Sequence, residues 1–145
     1  MMTLTPPQLT SGELHYLADE HAPGDARLHV RARLAQWGLC QLSDTAELIA
    51  SELITNAIQA AKGNEVGLEL VLTPRSLIVK ALDDSPNAPK ATHVDDVLAE
   101  SGRGLTLVAA LSARMGYYFT DDARKVVWSE IPCGPGPENT GPRPA

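Results

Sequence analysis

Aromatic and basic side chains are scarce in this chain, cysteine is scarcer, and no long apolar run occurs. One Phe, two Trp and three Tyr in 145 residues leave the core to Leu, Val, Ile and Ala, the mix found where helices pack on a sheet. Only 12 residues are basic, the net charge is −6, and Lys62, Lys80, Lys90 and Lys125 are scattered. Neither a nucleic-acid backbone nor an anionic membrane therefore meets a complementary patch. Cys40 and Cys133 are too few for a disulfide framework and share no short metal-ligand spacing, so both read as reduced packing or surface residues. No apolar stretch approaches the roughly 18 residues of a membrane span, and no charged N-terminal segment leads into an apolar one. A cytoplasmic protein is expected. His15, His21, His29 and His93 are dispersed and have no Ser or Cys partner at a telling position, which argues against a catalytic histidine.

What is present organises around residues 47–61, ELIASELITNAIQAA. Leu48, Ile49, Leu53, Ala57 and Ala60 recur at helical spacing and predict an amphipathic helix facing a core. Ser43 or Asp44 caps it, with Glu47 completing a capping box. Residues up to Ser11 read as a flexible start, and 13–17 as a short edge strand. Pro23-Gly24-Asp25 opens a helix from about Ala26 to Gln36, with Leu28, Ala32 and Ala35 available for burial and Gly38 as its stop. Trp37 and Leu39 pack beneath it. Strands over 66–72 and 77–82 form a hairpin around Thr73-Pro74-Arg75-Ser76. A long polar segment, 83–102, holds a helical turn near 94–100 and has the length of a functional or mobile connection. A helix resumes over 105–111, a second hairpin joins 117–120 to 125–131, and the Pro/Gly-rich 133–145 should be disordered. One domain over 12–132 is expected. Blocks of helices and hairpins without regular βαβ alternation predict an α+β two-layer sandwich.

Four places carry chemistry or could. Glu52 and Asn56 stack one turn apart at the edge of the apolar stripe, where they either solvate the flank or hold a cation and a water. Asp83-Asp84-Ser85-Pro86 follows a strongly apolar strand: a turn, or a carboxylate that accepts from an amine or amide N–H in a pocket. Ser101-Gly102-Arg103-Gly104-Leu105 precedes a helix, where glycines admit a ligand and free N–H groups favour an anion, unless it is an ordinary glycine-rich helix start. A dinucleotide fingerprint and a Gly-Lys-Ser/Thr phosphate loop are both absent. Lys125-Val126-Val127-Trp128 reads as a core strand with a buried Trp, although Lys125 at its start could reach a phosphate.

In this order the four motifs resemble the GHKL (Bergerat-fold) ATPase superfamily, and more narrowly the bacterial anti-sigma-factor serine kinases. The match runs from about Pro23 to Pro132. It implies a mixed, mostly antiparallel sheet with about three helices on one face. It implies that Asn56 coordinates Mg²⁺ on the triphosphate of ATP, that Glu52 is the general base, and that Asp83 binds the adenine amine. It places further nucleotide contacts at Ser85, Gly102, Arg103, Gly104, Leu105 and Lys125, with 85–101 as a short lid. It implies a protein serine/threonine kinase, a sigma factor and an anti-anti-sigma (STAS-type) protein as partners, and a homodimer. The family often has Arg-His where this chain has Gln59-Ala60, and a threonine where it has Val126. A module that binds nucleotide without chemistry, and one that acts by protein contact alone, are the competing expectations.

Overall fold

The structure, a computed structural model, describes residues 8–89 and 100–133, with backbone alone for 100–104. The expected turn over 94–100, most of the expected lid and the 133–145 tail thus lie largely or wholly outside the described residues. In chain order the elements are β1 (Leu9–Thr10), β2 (Leu14–Leu17), α1 (Ala22–Gln36), α2 (Ser43–Ala60), β3 (Glu65–Leu72), β4 (Ser76–Asp83), α3 (Glu100–Leu111), β5 (Arg114–Phe119) and β6 (Lys125–Pro132), with a 3₁₀ turn at Cys40–Leu42.

The strands form one sheet in the order β1-β3-β4-β6-β5, with β2 beside β1 on the same edge of β3. Every pairing among the described residues is antiparallel, so the parallel component that "mixed" allows for is not found there. The flexible start is shorter than expected: Leu9 and Thr10 already pair with Leu72 and Val71. Side chains alternate along each strand, and one set, Val66, Leu68 and Leu70 with Leu77, Val79, Ala81, Val127 and Ile131, forms the core with the helices. The architecture is the expected α+β sandwich, with three α-helices among the described residues.

Helix α2 sits centrally, burying Ala46, Ile49, Ala50, Leu53, Ile54 and Ala57. Leu48, expected inside, is 38% exposed, because the buried stripe turns toward Ala46 and Ala50. The larger departure is α1. Its buried residues are Ala22, Ala26, Val30 and Leu34, whereas Leu28 is exposed and so are Ala32 and Ala35. Apolar residues lie all round this helix, so helical spacing fits two faces and packing against α2 decides between them.

The expected capping box at α2 is replaced by an interhelical tie. No side-chain cap is present at the N-terminus of α2. Instead Glu47 accepts bonds from Arg31 Nε at 3.1 Å and Nη2 at 2.8 Å, and a short one from the Ser43 hydroxyl. The Arg31 guanidinium holds the Glu47 carboxyl below its ordinary 4.5, helped by Ser43 and opposed by burial. A carboxylate so lowered contributes stability above its unfolded value, lost as pH falls through the folded value. Glu47→Gln is therefore expected to flatten the loss of melting temperature with acidification below about pH 4.5, as read by circular dichroism; an unchanged slope would mean that the tie is energetically silent.

Trp128, expected in the core, lies half-buried on the opposite sheet face. A Cβ on Gly116 would stand 2.9 Å from its indole Cζ2, so the glycine makes room for the ring.

Candidate functional site

A cleft of about 500 Å³ opens between the C-terminal end of α2 and the chain leaving β4, lined by Asn56, Gln59, Ala60, Lys62, Ser85, Asn87, Ala88, Pro89 and Lys125. That is within the roughly 300–1,000 Å³ of small-molecule sites. The apolar face of α2 packs on the sheet, which leaves Asn56, Gln59 and Ala60, at i, i+3 and i+4, as one wall. The opposite wall is the Ser85–Pro89 stretch.

Behind Ser85 lies a buried pair. Asp83 ends β4 and lies directly across from Lys125, the first residue of β6. Asp83 is 3% exposed and Lys125 1%. The Lys125 ammonium donates to the Asn87 carbonyl at 3.0 Å and stands 3.7 Å from Asp83 Oδ2, an ion pair without a hydrogen bond. Asp83 Oδ1 accepts from the Ser85 N–H at 2.7 Å, and Ser85 Oγ accepts from the Asn87 N–H at 3.1 Å. Asp83 Oδ2 is buried and has no hydrogen-bond partner among the described residues. Burial pushes the Asp83 carboxyl upward, opposed by the Ser85 N–H and the Lys125 charge. An orphaned acceptor this deep is costly unless a donor arrives. Asp83 itself lines a neighbouring cavity of about 230 Å³, with Gly63, Asp84 and Arg124, rather than the cleft, so it stands between that space and the cleft residues Ser85 and Lys125.

Asp84 has a separate task. Its carboxylate accepts from the Lys62 N–H at 2.7 Å and the Gly63 N–H at 2.9 Å, tying the segment after α2 to the end of β4. These two donors hold its carboxyl below the ordinary value. A Cβ on Gly63 would stand 2.9 Å from Asp84 Oδ2, which is why a glycine suits that position.

Read with residues 17–130, which match the family described as Histidine kinase-like ATPase domain, the cleft has a context. The chain belongs to that family. No curated protein matches the chain. Membership identifies a histidine kinase-like ATP-binding module of the GHKL type, and the cleft suits a nucleotide. Its volume is adequate, and directly behind its Ser85 and Lys125 lies a buried carboxylate oxygen with no hydrogen-bond partner among the described residues, which suits an amine N–H.

Of the residues expected at the histidine kinase-like site, Asn56, Ser85 and Lys125 share the cleft, and Asp83 touches both Ser85 and Lys125. Glu52 lies one turn earlier on α2, half-buried, and is not among the cleft-lining residues. Gly102, Arg103 and Gly104 lie within α3, described over Glu100–Leu111, rather than ahead of a helix that starts at Leu105; the Arg103 side chain lies outside what is described. Leu105 is 4% exposed and packs in the core. Gln59, Lys62 and Asn87 are cleft residues that sequence reasoning did not single out. The first follows from its i+3 spacing to Asn56, but the others are joined only by the fold.

Removing the buried cation should be expensive. Lys125→Met leaves Asp83 as an uncompensated buried charge, which typically costs about 3–5 kcal/mol. Without Lys125 the Asp83 carboxyl rises further and binds a proton that the unfolded chain has already released, so the variant loses stability as pH climbs above about 4. Urea unfolding is expected to show a deficit that widens from pH 4 to pH 7; a deficit independent of pH would show that the lysine acts by packing alone.

Proposed function

We propose that this chain binds ATP with Mg²⁺ and works in the cytoplasm as a regulatory serine kinase of the anti-sigma-factor type. It would transfer the γ-phosphate to a serine of an anti-anti-sigma, STAS-type partner, and sequester a sigma factor. The observation that carries the nucleotide half is the buried Asp83 Oδ2, without a hydrogen-bond partner among the described residues and beside Lys125, which itself lines a nucleotide-sized cleft. In this reading Asp83 accepts from the adenine amine, Ser85 fixes its orientation, and Gly102 and Gly104 let the backbone of α3 approach the phosphates.

The kinase half rests on α2, where Glu52 stands one turn from Asn56. Among the described residues no group of three His, Cys, Asp or Glu could hold a metal ion. Asn56 would be the protein's contribution to holding Mg²⁺ on the triphosphate, as suits a hard ion that keeps few protein ligands. When bound, Mg²⁺ neutralises charge on the transferring phosphoryl group. Glu52 takes the serine proton, the serine oxygen bonds to the γ-phosphorus, and the bond from that phosphorus to the β,γ-bridging oxygen breaks to release ADP.

A second reading, a nucleotide-gated binding module without chemistry, is favoured by Gln59 and Ala60 lining the cleft where related sequences often carry Arg-His. The test is incubation with ATP, Mg²⁺ and STAS-type proteins, read by mass spectrometry for a phosphoserine on the partner. Nucleotide binding without transfer selects the second reading. Absence of nucleotide binding defeats both.

A further inference from the structure

A bound nucleotide brings several negative charges into the cleft, and the lysine expected to meet them is already committed. Lys125 is 1% exposed, donates to the Asn87 carbonyl at 3.0 Å and stands 3.7 Å from Asp83 Oδ2. Swinging it toward a phosphate would strip the buried Asp83 of its counter-charge, which is costly. Among the described residues one other cation lines the cleft, Lys62, and no carboxylate does. The chain as a whole carries −6, so its long-range field opposes a polyphosphate and a local cation has to outweigh it.

Lys62 is placed by its backbone and free at its tip. Its N–H donates to Asp84 Oδ1 at 2.7 Å, which fixes the point from which the side chain springs. The residue is exposed, and among the described residues its ammonium makes no hydrogen bond or ion pair. Nor is its charge spent on Asp84, whose carboxyl is held low chiefly by the Lys62 and Gly63 N–H groups, with the Lys62 charge a lesser cause. Asn56 and Lys62 mark the two ends of one wall: Asn56 lies within α2, and Lys62 just past its end at Ala60, tied to the neighbour of Asp83. A nucleotide that runs from its base at Asp83 toward Mg²⁺ at Asn56 therefore passes Lys62 first. We propose that Lys62 is a further nucleotide-binding residue, its ammonium meeting the phosphate attached to the ribose. The inference rests on the nucleotide reading above. An ammonium on a four-carbon stem is a point charge that follows such a phosphate without a fixed geometry. So placed it grips ATP and ADP alike, and serves retention of nucleotide rather than transfer of phosphate.

Titration calorimetry of the full chain with ATP, ADP, AMP and adenosine, at low and high salt, provides the test. Lys62→Met should weaken ATP, ADP and AMP each by about tenfold, the worth of one hydrogen bond to a charged group, leave adenosine as in the parent, and reduce the salt dependence. Lys62→Arg should restore most of the loss. Because the side chain is exposed and the clamp to Asp84 is made by the backbone, the melting temperature of Lys62→Met without ligand should stay close to the parent's. Lys80→Met removes an equal charge from the opposite sheet face, where Lys80 pairs with Trp128 and donates to the Tyr118 hydroxyl, and should not weaken any of the four. A loss that extends to adenosine, a loss confined to ATP, no loss at all, or an equal loss in Lys80→Met would each overturn the proposal while leaving the nucleotide reading in place. A parent that binds none of the four would overturn both.

Discussion

Asp83→Asn is expected to remove most of the stabilisation that ATP gives this protein. The argument lies in which atom of the side chain is already engaged. Oδ1 accepts the Ser85 N–H at 2.7 Å, whereas Oδ2 is buried without a partner. An asparagine must keep its carbonyl toward Ser85, which places its NH₂ where Oδ2 was. A donor then faces the adenine amine, itself a donor, and neither can be satisfied. Losing a charged acceptor and leaving buried donors unpaired costs about 3 kcal/mol, or on the order of a hundredfold in affinity. Nucleotide at about a hundred times its dissociation constant stabilises a folded chain by about 2.7 kcal/mol; after a hundredfold loss of affinity the same concentration gives about 0.4 kcal/mol. The quantity to measure is the shift on adding ATP, because the variant also leaves Lys125 without its ion-pair partner. A variant whose ATP-induced shift equals that of the parent would remove Asp83 from the nucleotide site.

Glu52→Gln should act on a different quantity. The substitution keeps the shape of a half-buried side chain on α2 and removes only its ability to take a proton. ATP-induced stabilisation should stay as in the parent, since Glu52 is not among the cleft-lining residues. Transfer of phosphate to a partner serine should fall by about 10²–10⁴-fold, the usual worth of a positioned general base. Parent-like transfer would exclude Glu52 as the base. Parent-like transfer together with a lost ATP shift in Asp83→Asn would locate the chemistry elsewhere in the same cleft.

The central helix, both hairpins and the layered class were legible because each rests on local periodicity or turn chemistry. Asn56, Ser85, Asp83 and Lys125 stand out in the sequence as polar groups at the end or edge of an apolar element, and the fold brings the first two and Lys125 to one cleft with Asp83 beside it. Where the reading failed, the deciding interaction was remote. Leu28 and Leu34 look alike along α1, and only contact with α2 buries the second. Glu47 sits at capping-box spacing from Asp44, but Arg31 on the neighbouring helix competes for its carboxylate. Trp128 alternates as a core residue would, but its strand turns Val127 and Ile131 inward and leaves the indole over Gly116. Leu105 adjoins the glycines of a ligand motif and is drawn into the core by helical phase. Lys62 and Gly63 carry no chemical signal of their own; Asp84, about twenty positions downstream, fixes Lys62 at the cleft and Gly63 at the neighbouring cavity.

That clamp bears on affinity. With Lys62 and Gly63 pinned to the end of β4, the end of α2 and the strand ends bearing Asp83 and Lys125 are joined into one block. Ser85 and Asn87 of the facing wall are bound to that same pair. A ligand that arrives should therefore find much of its enclosure set in advance and lose little freedom in ordering it.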